Sequence, residues 1–177
     1  MRIIGGRLSG RVIEAPSGHR THPMSEKIRG ALFSILGDIY GLSVLDAYSG
    51  SGAIGLEASS RGAARVILIE RDKHAQASID KNIQELDLRK KIKLISANVT
   101  TWSDNNATQT FDVVILDPPY NEVKSEILDK LARHVVEGGI LVLSLPPEFT
   151  PKLDAAFSYV KEKKYGDAKL VFFRRIS

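Results

Sequence analysis

Two stretches of this 177-residue sequence gather residues that could do chemistry. The first is Ile115-Leu116-Asp117-Pro118-Pro119-Tyr120-Asn121, an acid, two prolines and an aromatic at the end of an apolar run. Proline lacks an N–H and fixes φ, so two in succession make a stiff turn whose carbonyls have no helix or sheet to join. Such a turn suits an exocyclic amine on a nucleobase. The amine lone pair is delocalised into the ring and is a poor nucleophile. An acceptor for each N–H localises that pair and aims it. Asp117 can accept one hydrogen bond, the Pro118 carbonyl can accept the other, and Tyr120 can stack on a flipped base. The reaction would be an in-line displacement at an activated methyl, driven mainly by positioning. It needs neither a metal nor a covalent enzyme intermediate. The chain has no cysteine, which excludes the cysteine-dependent route to C5-methylated pyrimidines.

The second stretch is Asp46-Ala47-Tyr48-Ser49-Gly50-Ser51-Gly52-Ala53-Ile54-Gly55. Gly50, Gly52 and Gly55 match G-x-G-x-x-G, a turn that lets a ligand approach the backbone where a strand passes into a helix. Glu70, 20 residues beyond Gly50, ends the next apolar run, where its carboxylate could bind both hydroxyls of an adenosine ribose. The pattern serves nicotinamide dinucleotides and S-adenosylmethionine (SAM) alike. A pyrophosphate would lie on the helix N-terminus, and Asp46 would repel it. The ammonium end of a methionine moiety would be attracted instead. Asp46 therefore favours SAM without deciding the matter.

These residues need a scaffold with the ends of its strands side by side. Short apolar segments at 43–47, 65–70, 91–97, 111–117 and 138–145 alternate with helical patterns at 53–62, 72–86 and 125–135. Strands alternating with helices predict a parallel sheet covered on both faces. The tail reads as two antiparallel strands turning near Tyr165-Gly166-Asp167, which brings the count to seven. Residues 2–14 read as a small hairpin, and 25–36 as an amphipathic helix with Ser25 as N-cap. The expected fold is α/β: a doubly wound, mostly parallel, seven-stranded Rossmann-like sheet. It forms one domain, 1–177, with an N-terminal extension at 1–24. Ligands of such sheets lie beyond the carboxyl ends of the strands.

Charge is unevenly placed. Residues 1–30 hold Arg2, Arg7, Arg11, Arg20, Lys27 and Arg29 against Glu14 and Glu26, so the net charge of +4 resides there. This suggests a polyanion partner or a solvated basic edge. No run approaches the length of a membrane span and no signal peptide opens the chain, so a cytoplasmic location is expected. The four histidines show no metal-ligand spacing. His74 and His134 are expected on helix surfaces, and His19 and His22 in a loop near RNA or solvent. Trp102 is read either as a lid over an adenine or as core. Lys161, Lys163 and Lys164 are read as a solvated strand edge.

Taken together, "MRIIGGRLSGR", "EKIRGALFSIL", "LDAYSGSGAIGLEASSRGA", "ILDPPY" and "YGDAKLVFFR" resemble the bacterial 16S rRNA guanine-N2 methyltransferases along nearly the whole chain. The resemblance implies SAM as cofactor. Asp46, Gly50, Gly52, Glu70 and Asn98 would line its site, with Tyr48, Arg71 and Val99 beside them. It implies Asp117, Pro118 and Tyr120 as catalytic residues. Arg2, Arg7, Arg11 and Arg20 would contact a partner that is 16S rRNA or an assembling small ribosomal subunit. No metal is implied, and a monomer is expected. Two positions depart from the family pattern. His22-Pro23-Met24 stands where Arg-Pro-Thr is usual, and Asn98 where Asp is usual. The amide oxygen of Asn98 can still accept from an adenine amino group. A DNA adenine or cytosine amino methyltransferase, a nicotinamide oxidoreductase and a non-catalytic RNA-binding module remain the alternative readings.

Overall fold

The computed structural model describes residues 1–16 and 24–177. Arg20, His19, His22 and Pro23 lie outside the described residues. The protein is α/β with seven strands in a mixed sheet, and it divides into two compact units, Met1–Asn98 and Val99–Ser177.

The first unit contains helix α1 (Glu26–Leu36), strand β1 (Ser43–Asp46), helix α2 (Ala53–Ser60), strand β2 (Arg65–Glu70), helix α3 (Lys73–Glu85) and strand β3 (Ile92–Ser96). Its strands run parallel in the order β3-β2-β1. Val66, Ile67, Leu68 and Ile69 are all buried, as expected of a strand covered on both faces. Ser25 caps α1 by accepting from the Ile28 N–H, and Asp72 caps α3 by accepting from the His74 and Ala75 N–H groups. The expected hairpin at 2–14 is reduced to one antiparallel bridge, Arg2 to Val12. The N–H groups of Ile3, Gly10 and Ile13 still donate across it, to the carbonyls of Arg11, Ile3 and Met1, whereas those of Ile4, Gly5 and Leu8 are taken by side chains of α2.

The second unit contains helix α4 (Val99–Asn105), strand β4 (Phe111–Leu116), a single 3-10 turn (Tyr120–Glu122), helix α5 (Ser125–Ala132) and strands β5 (Val135–Leu145), β6 (Phe157–Tyr165) and β7 (Ala168–Arg175). The strand order is β4-β5-β7-β6. β4 and β5 are parallel, whereas β7 is antiparallel to both β5 and β6. β6 is the edge strand, its residues 158–164 all exposed, and it carries an irregularity between Tyr159 and Lys161.

Three details differ from the sequence reading. The helix expected to run to residue 135 stops at Ala132, and Val135 already pairs with Phe111. The register of β5 then shifts before Ile140 meets Val113, so the strand begins earlier than its continuous apolar run suggests. α4 was not expected, since its Val-Thr-Thr-Trp start is poor in helix formers. Trp102 holds it in place from the core, 4% exposed and packed beside Phe111 and His134. Trp102 is therefore a core residue. His134 is not on a helix surface but fully buried. Its Nε2 lies 2.8 Å from the Ser103 hydroxyl and its Nδ1 2.6 Å from the Gln109 carbonyl. Burial lowers its pKa. His74 is exposed on α3, as expected.

Candidate functional site

In the first unit the glycine loop joins β1 to α2. Asp46 closes β1 and is fully buried. The Ser49 hydroxyl donates to the Asp46 carbonyl at 2.8 Å, and the Ser49 N–H donates to the Ile69 carbonyl at 3.0 Å, which fastens the loop to β2. Gly52 is the N-cap of α2 at φ 74°, and a Cβ there would lie 2.9 Å from Ile79 of α3. Any larger residue would be strained in its backbone and crowded against α3. Tyr48 is half-buried in the same loop.

Glu70 ends β2, and its carboxylate is fixed by backbone donors. Oε2 accepts from the Gly50 N–H at 2.8 Å, and Oε1 accepts from the Arg71 and Asp72 N–H groups, each at 2.8 Å. A carboxylate has about four acceptor positions, so an oriented position remains for a ligand hydroxyl. The structure thus brings Asp46, Tyr48, Gly50, Gly52, Glu70 and Arg71 into one loop cluster. A loop cradle that admits only glycine, beside an oriented carboxylate, fits an adenosine-containing cofactor. Asn98 closes this unit as an exposed residue, and Val99 opens the second as a buried one.

In the second unit, Asp117-Pro118-Pro119-Tyr120 leaves the carboxyl end of β4. Pro118 is buried and Pro119 exposed. The Pro119 carbonyl accepts from the Glu122 N–H at 2.8 Å, closing the turn that presents Tyr120. The Tyr120 side chain remains 42% exposed, so its ring has an open surface. Because Leu116 pairs with Leu143 in parallel register, Asp117 comes beside Ser144 of β5. The buried Ser144 hydroxyl hydrogen-bonds with both Asp117 and the Tyr120 phenol. Asp117 keeps a partly open edge, yet the protein crowded around its carboxylate raises its pKa from 3.8 to about 6, against the smaller, opposite effect of the Ser144 bond. The Tyr120 pKa is also raised, first by burial, with Asp117, Asp167 and Glu148 adding to it and Ser144 opposing it. Ser144 was not anticipated. Its only trace in the sequence is a single polar residue inside the apolar run Ile-Leu-Val-Leu-Ser-Leu.

Arg2, Arg7 and Arg11 are exposed on the N-terminal segment, and among the described residues none has an ion-paired side chain. Among the described residues no group of three or more His, Asp or Glu could hold a metal ion. Among the described residues no helix is long and apolar enough to cross a membrane.

The family described as Conserved hypothetical protein 95 matches residues 1–174. Ribosomal RNA small subunit methyltransferase D of Escherichia coli K12 is 30% identical over 180 residues, covering 99% of this chain and 90% of that protein. The protein of the same name from Buchnera aphidicola (Acyrthosiphon pisum) is 35% identical over 121 residues, 68% of this chain and 63% of its own length. Among solved structures, the yhhF protein of Escherichia coli superposes with a TM-score of 0.88 at 27% identity, covering 100% of this chain and 98% of that one.

Proposed function

The chain belongs to the family that includes ribosomal RNA small subunit methyltransferase D, and on that footing we propose that it methylates the exocyclic N2 amine of a guanine in small-subunit rRNA, using SAM. The observation that carries this reading is Asp117-Pro118-Pro119-Tyr120 at the end of β4, with its carboxylate held by Ser144 and its ring open. SAM, when bound, supplies an electrophilic methyl on a sulfonium. Glu70 accepts from a ribose hydroxyl at the position its three backbone donors leave open. Asp46 attracts the ammonium end of the methionine moiety, and Tyr48, Gly50, Gly52, Arg71, Asn98 and Val99 complete the cofactor's surroundings.

Asp117 accepts one N–H of the target amine and the Pro118 carbonyl accepts the other. Holding both protons in fixed directions turns the nitrogen lone pair out of the ring system toward the methyl. With a pKa of about 6, Asp117 is ionised near neutral pH, the state in which it is acceptor-only. Tyr120 stacks on the base drawn out of the RNA. Arg2, Arg7 and Arg11, with Arg20, grip phosphates and contribute affinity without reading sequence. The whole chain acts as one methyltransferase domain, a reading supported by the family match across 1–174, and it works as a monomer in the cytoplasm.

The test is nucleoside mass spectrometry of small-subunit rRNA from cells lacking the protein. The expected result is loss of one N2-methylguanosine, restored by the wild-type chain and not by Asp117→Ala. An unchanged rRNA with a lost methyl mark on DNA adenine or cytosine would assign the enzyme to the other amino-methylating class.

A further inference from the structure

Residues 1–16 contain no regular helix or strand, yet they are bound closely to α2 and α3. The N–H groups of Ile4 and Gly5 donate to the two carboxylate oxygens of Glu57, each at 2.7 Å. The Ser60 hydroxyl donates to the Gly5 carbonyl at 2.6 Å and accepts from the Leu8 N–H at 2.9 Å. The Arg7 N–H donates to the Ser60 carbonyl at 2.8 Å. Gly6 lies at φ +76°, and a Cβ on it would fall 2.0 Å from that same carbonyl oxygen, so only glycine lets the turn seat on the helix. Farther along, the Asn82 side chain of α3 takes both the N–H and the carbonyl of Glu14, each at 2.9 Å. The Arg2 carbonyl accepts from the Arg29 guanidinium.

Glu57 is fully buried. Besides the two backbone donors, it faces Arg61 Nε at 2.8 Å and Arg29 Nε at 3.6 Å. A buried carboxylate is costly unless its oxygens are fully supplied with donors, and here the N-terminal segment supplies two of the three hydrogen-bond donors, Arg61 the third. The arrangement therefore ties the helix to the segment in both directions: without the segment, Glu57 loses donors, and without Glu57, the backbone of Ile4 and Gly5 loses acceptors. The arginine side chains of the segment, Arg2, Arg7 and Arg11, lie outside this fastening and are exposed to solvent. The helix that bears Glu57 and Ser60 begins at Gly52, in the cofactor loop.

We propose that Glu57 and Ser60 are positioning residues for the RNA substrate. They hold the N-terminal segment as a preformed phosphate-gripping surface, fixed to the same helix that shapes the cofactor loop. The proposal rests on the reading that Arg7 and Arg11 grip RNA. A flexible basic arm would neutralise the same phosphates, but it would lose conformational entropy at the moment of binding. Fastening removes that loss in advance. The two roles therefore separate in one experiment. Removing an arginine lowers the number of phosphates neutralised, which sets the salt dependence. Loosening the fastening leaves that number unchanged and weakens binding at every salt concentration.

The experiment measures affinity for small ribosomal subunits lacking the methyl mark, and for their extracted rRNA, at several salt concentrations. It compares Ser60→Ala, Gly6→Ala and Glu57→Gln with the double variant Arg7→Ala/Arg11→Ala. Steady-state kinetics and calorimetry with S-adenosylhomocysteine accompany it. Ser60→Ala and Gly6→Ala carry the decision if Glu57→Gln fails to fold. The expected result for these variants is about tenfold weaker RNA binding, a matching rise in KM for RNA, and kcat within about twofold of wild type. Their log–log salt slope and their S-adenosylhomocysteine affinity stay unchanged, while the arginine variant loses slope. Wild-type RNA affinity in Ser60→Ala and Gly6→Ala, with slope lost in the arginine variant, would overturn the positioning role and leave the RNA reading intact. Equal losses of cofactor and RNA binding would overturn it as well. If the arginine variant itself keeps its affinity and slope, the RNA reading of the segment falls, and the positioning role with it.

Discussion

Replacing Asp117 with Asn should abolish activity and stabilise the protein at the same time. Asn is nearly the same shape and keeps an acceptor oxygen for the Ser144 hydroxyl, so packing changes little. What disappears is a carboxylate held away from water. Raising an aspartate from 3.8 to about 6 corresponds to about 3 kcal/mol of folding free energy once the group is ionised in both states. The sign follows from linkage. The folded state binds this proton more tightly than the unfolded chain does. The penalty is therefore absent below about pH 4, where both states are protonated, and complete above about pH 6. For a chain of this length each kcal/mol shifts the melting temperature by roughly 2–4 °C, so Asp117→Asn should melt up to about 10 °C higher at pH 8 and at the wild-type temperature near pH 4. Thermal unfolding across that range, paired with a methyl-transfer assay, gives both readouts. Wild-type kcat/KM should rise with pH through about 6, as the carboxylate ionises. A variant that melts at or below the wild-type temperature at pH 8, or that keeps near-normal turnover, would refute the idea that Asp117 is a desolvated acceptor kept for chemistry.

Other outcomes can be read from the same geometry. Tyr120→Ala should weaken base binding by about 1–3 kcal/mol through lost stacking, with Tyr120→Phe milder; equal damage from Phe would place the importance in the phenol that meets Ser144. Glu70→Ala should lower SAM affinity tenfold or more by calorimetry, since the ribose loses a charged acceptor, and the wild-type chain should bind SAM and not NAD. His134→Ala should destabilise the protein by about 2–3 kcal/mol at pH 8 without altering kcat, because two buried hydrogen bonds are lost. Its folded pKa is lowered, so the stability due to His134 is present above its ordinary pKa of 6.5 and fades as pH falls. The gap between wild type and variant should narrow toward pH 5 in chemical denaturation.

Much of the scaffold was legible because it is written in local signals. β2 spans its apolar run without error, and β1 and β4 each stop one residue short of theirs, since a buried parallel strand admits little else. The two motifs sit where such strands end. What escaped the sequence is long-range. Residues 2–14 look like a hairpin, with glycines at the turn, but the donors of Ile4, Gly5 and Leu8 turn to Glu57 and Ser60, more than 50 residues away. Glu57 itself looks like an ordinary helix residue until its partners are known. His134 follows an amphipathic helix and continues its pattern, yet Phe111 takes its carbonyl and β5 begins directly after it. Ser144 gains meaning only from the register that sets it against Asp117.

The edge strand β6 has a consequence for how this protein meets copies of itself. An unpaired edge invites another strand to add to the sheet. Here the approaching strand would meet Lys161, Lys163 and Lys164, all exposed, along a backbone whose regular pairing is interrupted between Tyr159 and Lys161. If the visitor were a second β6, lysines would be brought against lysines, and like charges set opposite one another across a ladder repel. The same residues that dissolve the edge also end the sheet: its width is limited by charge, where a barrel would limit it by closure.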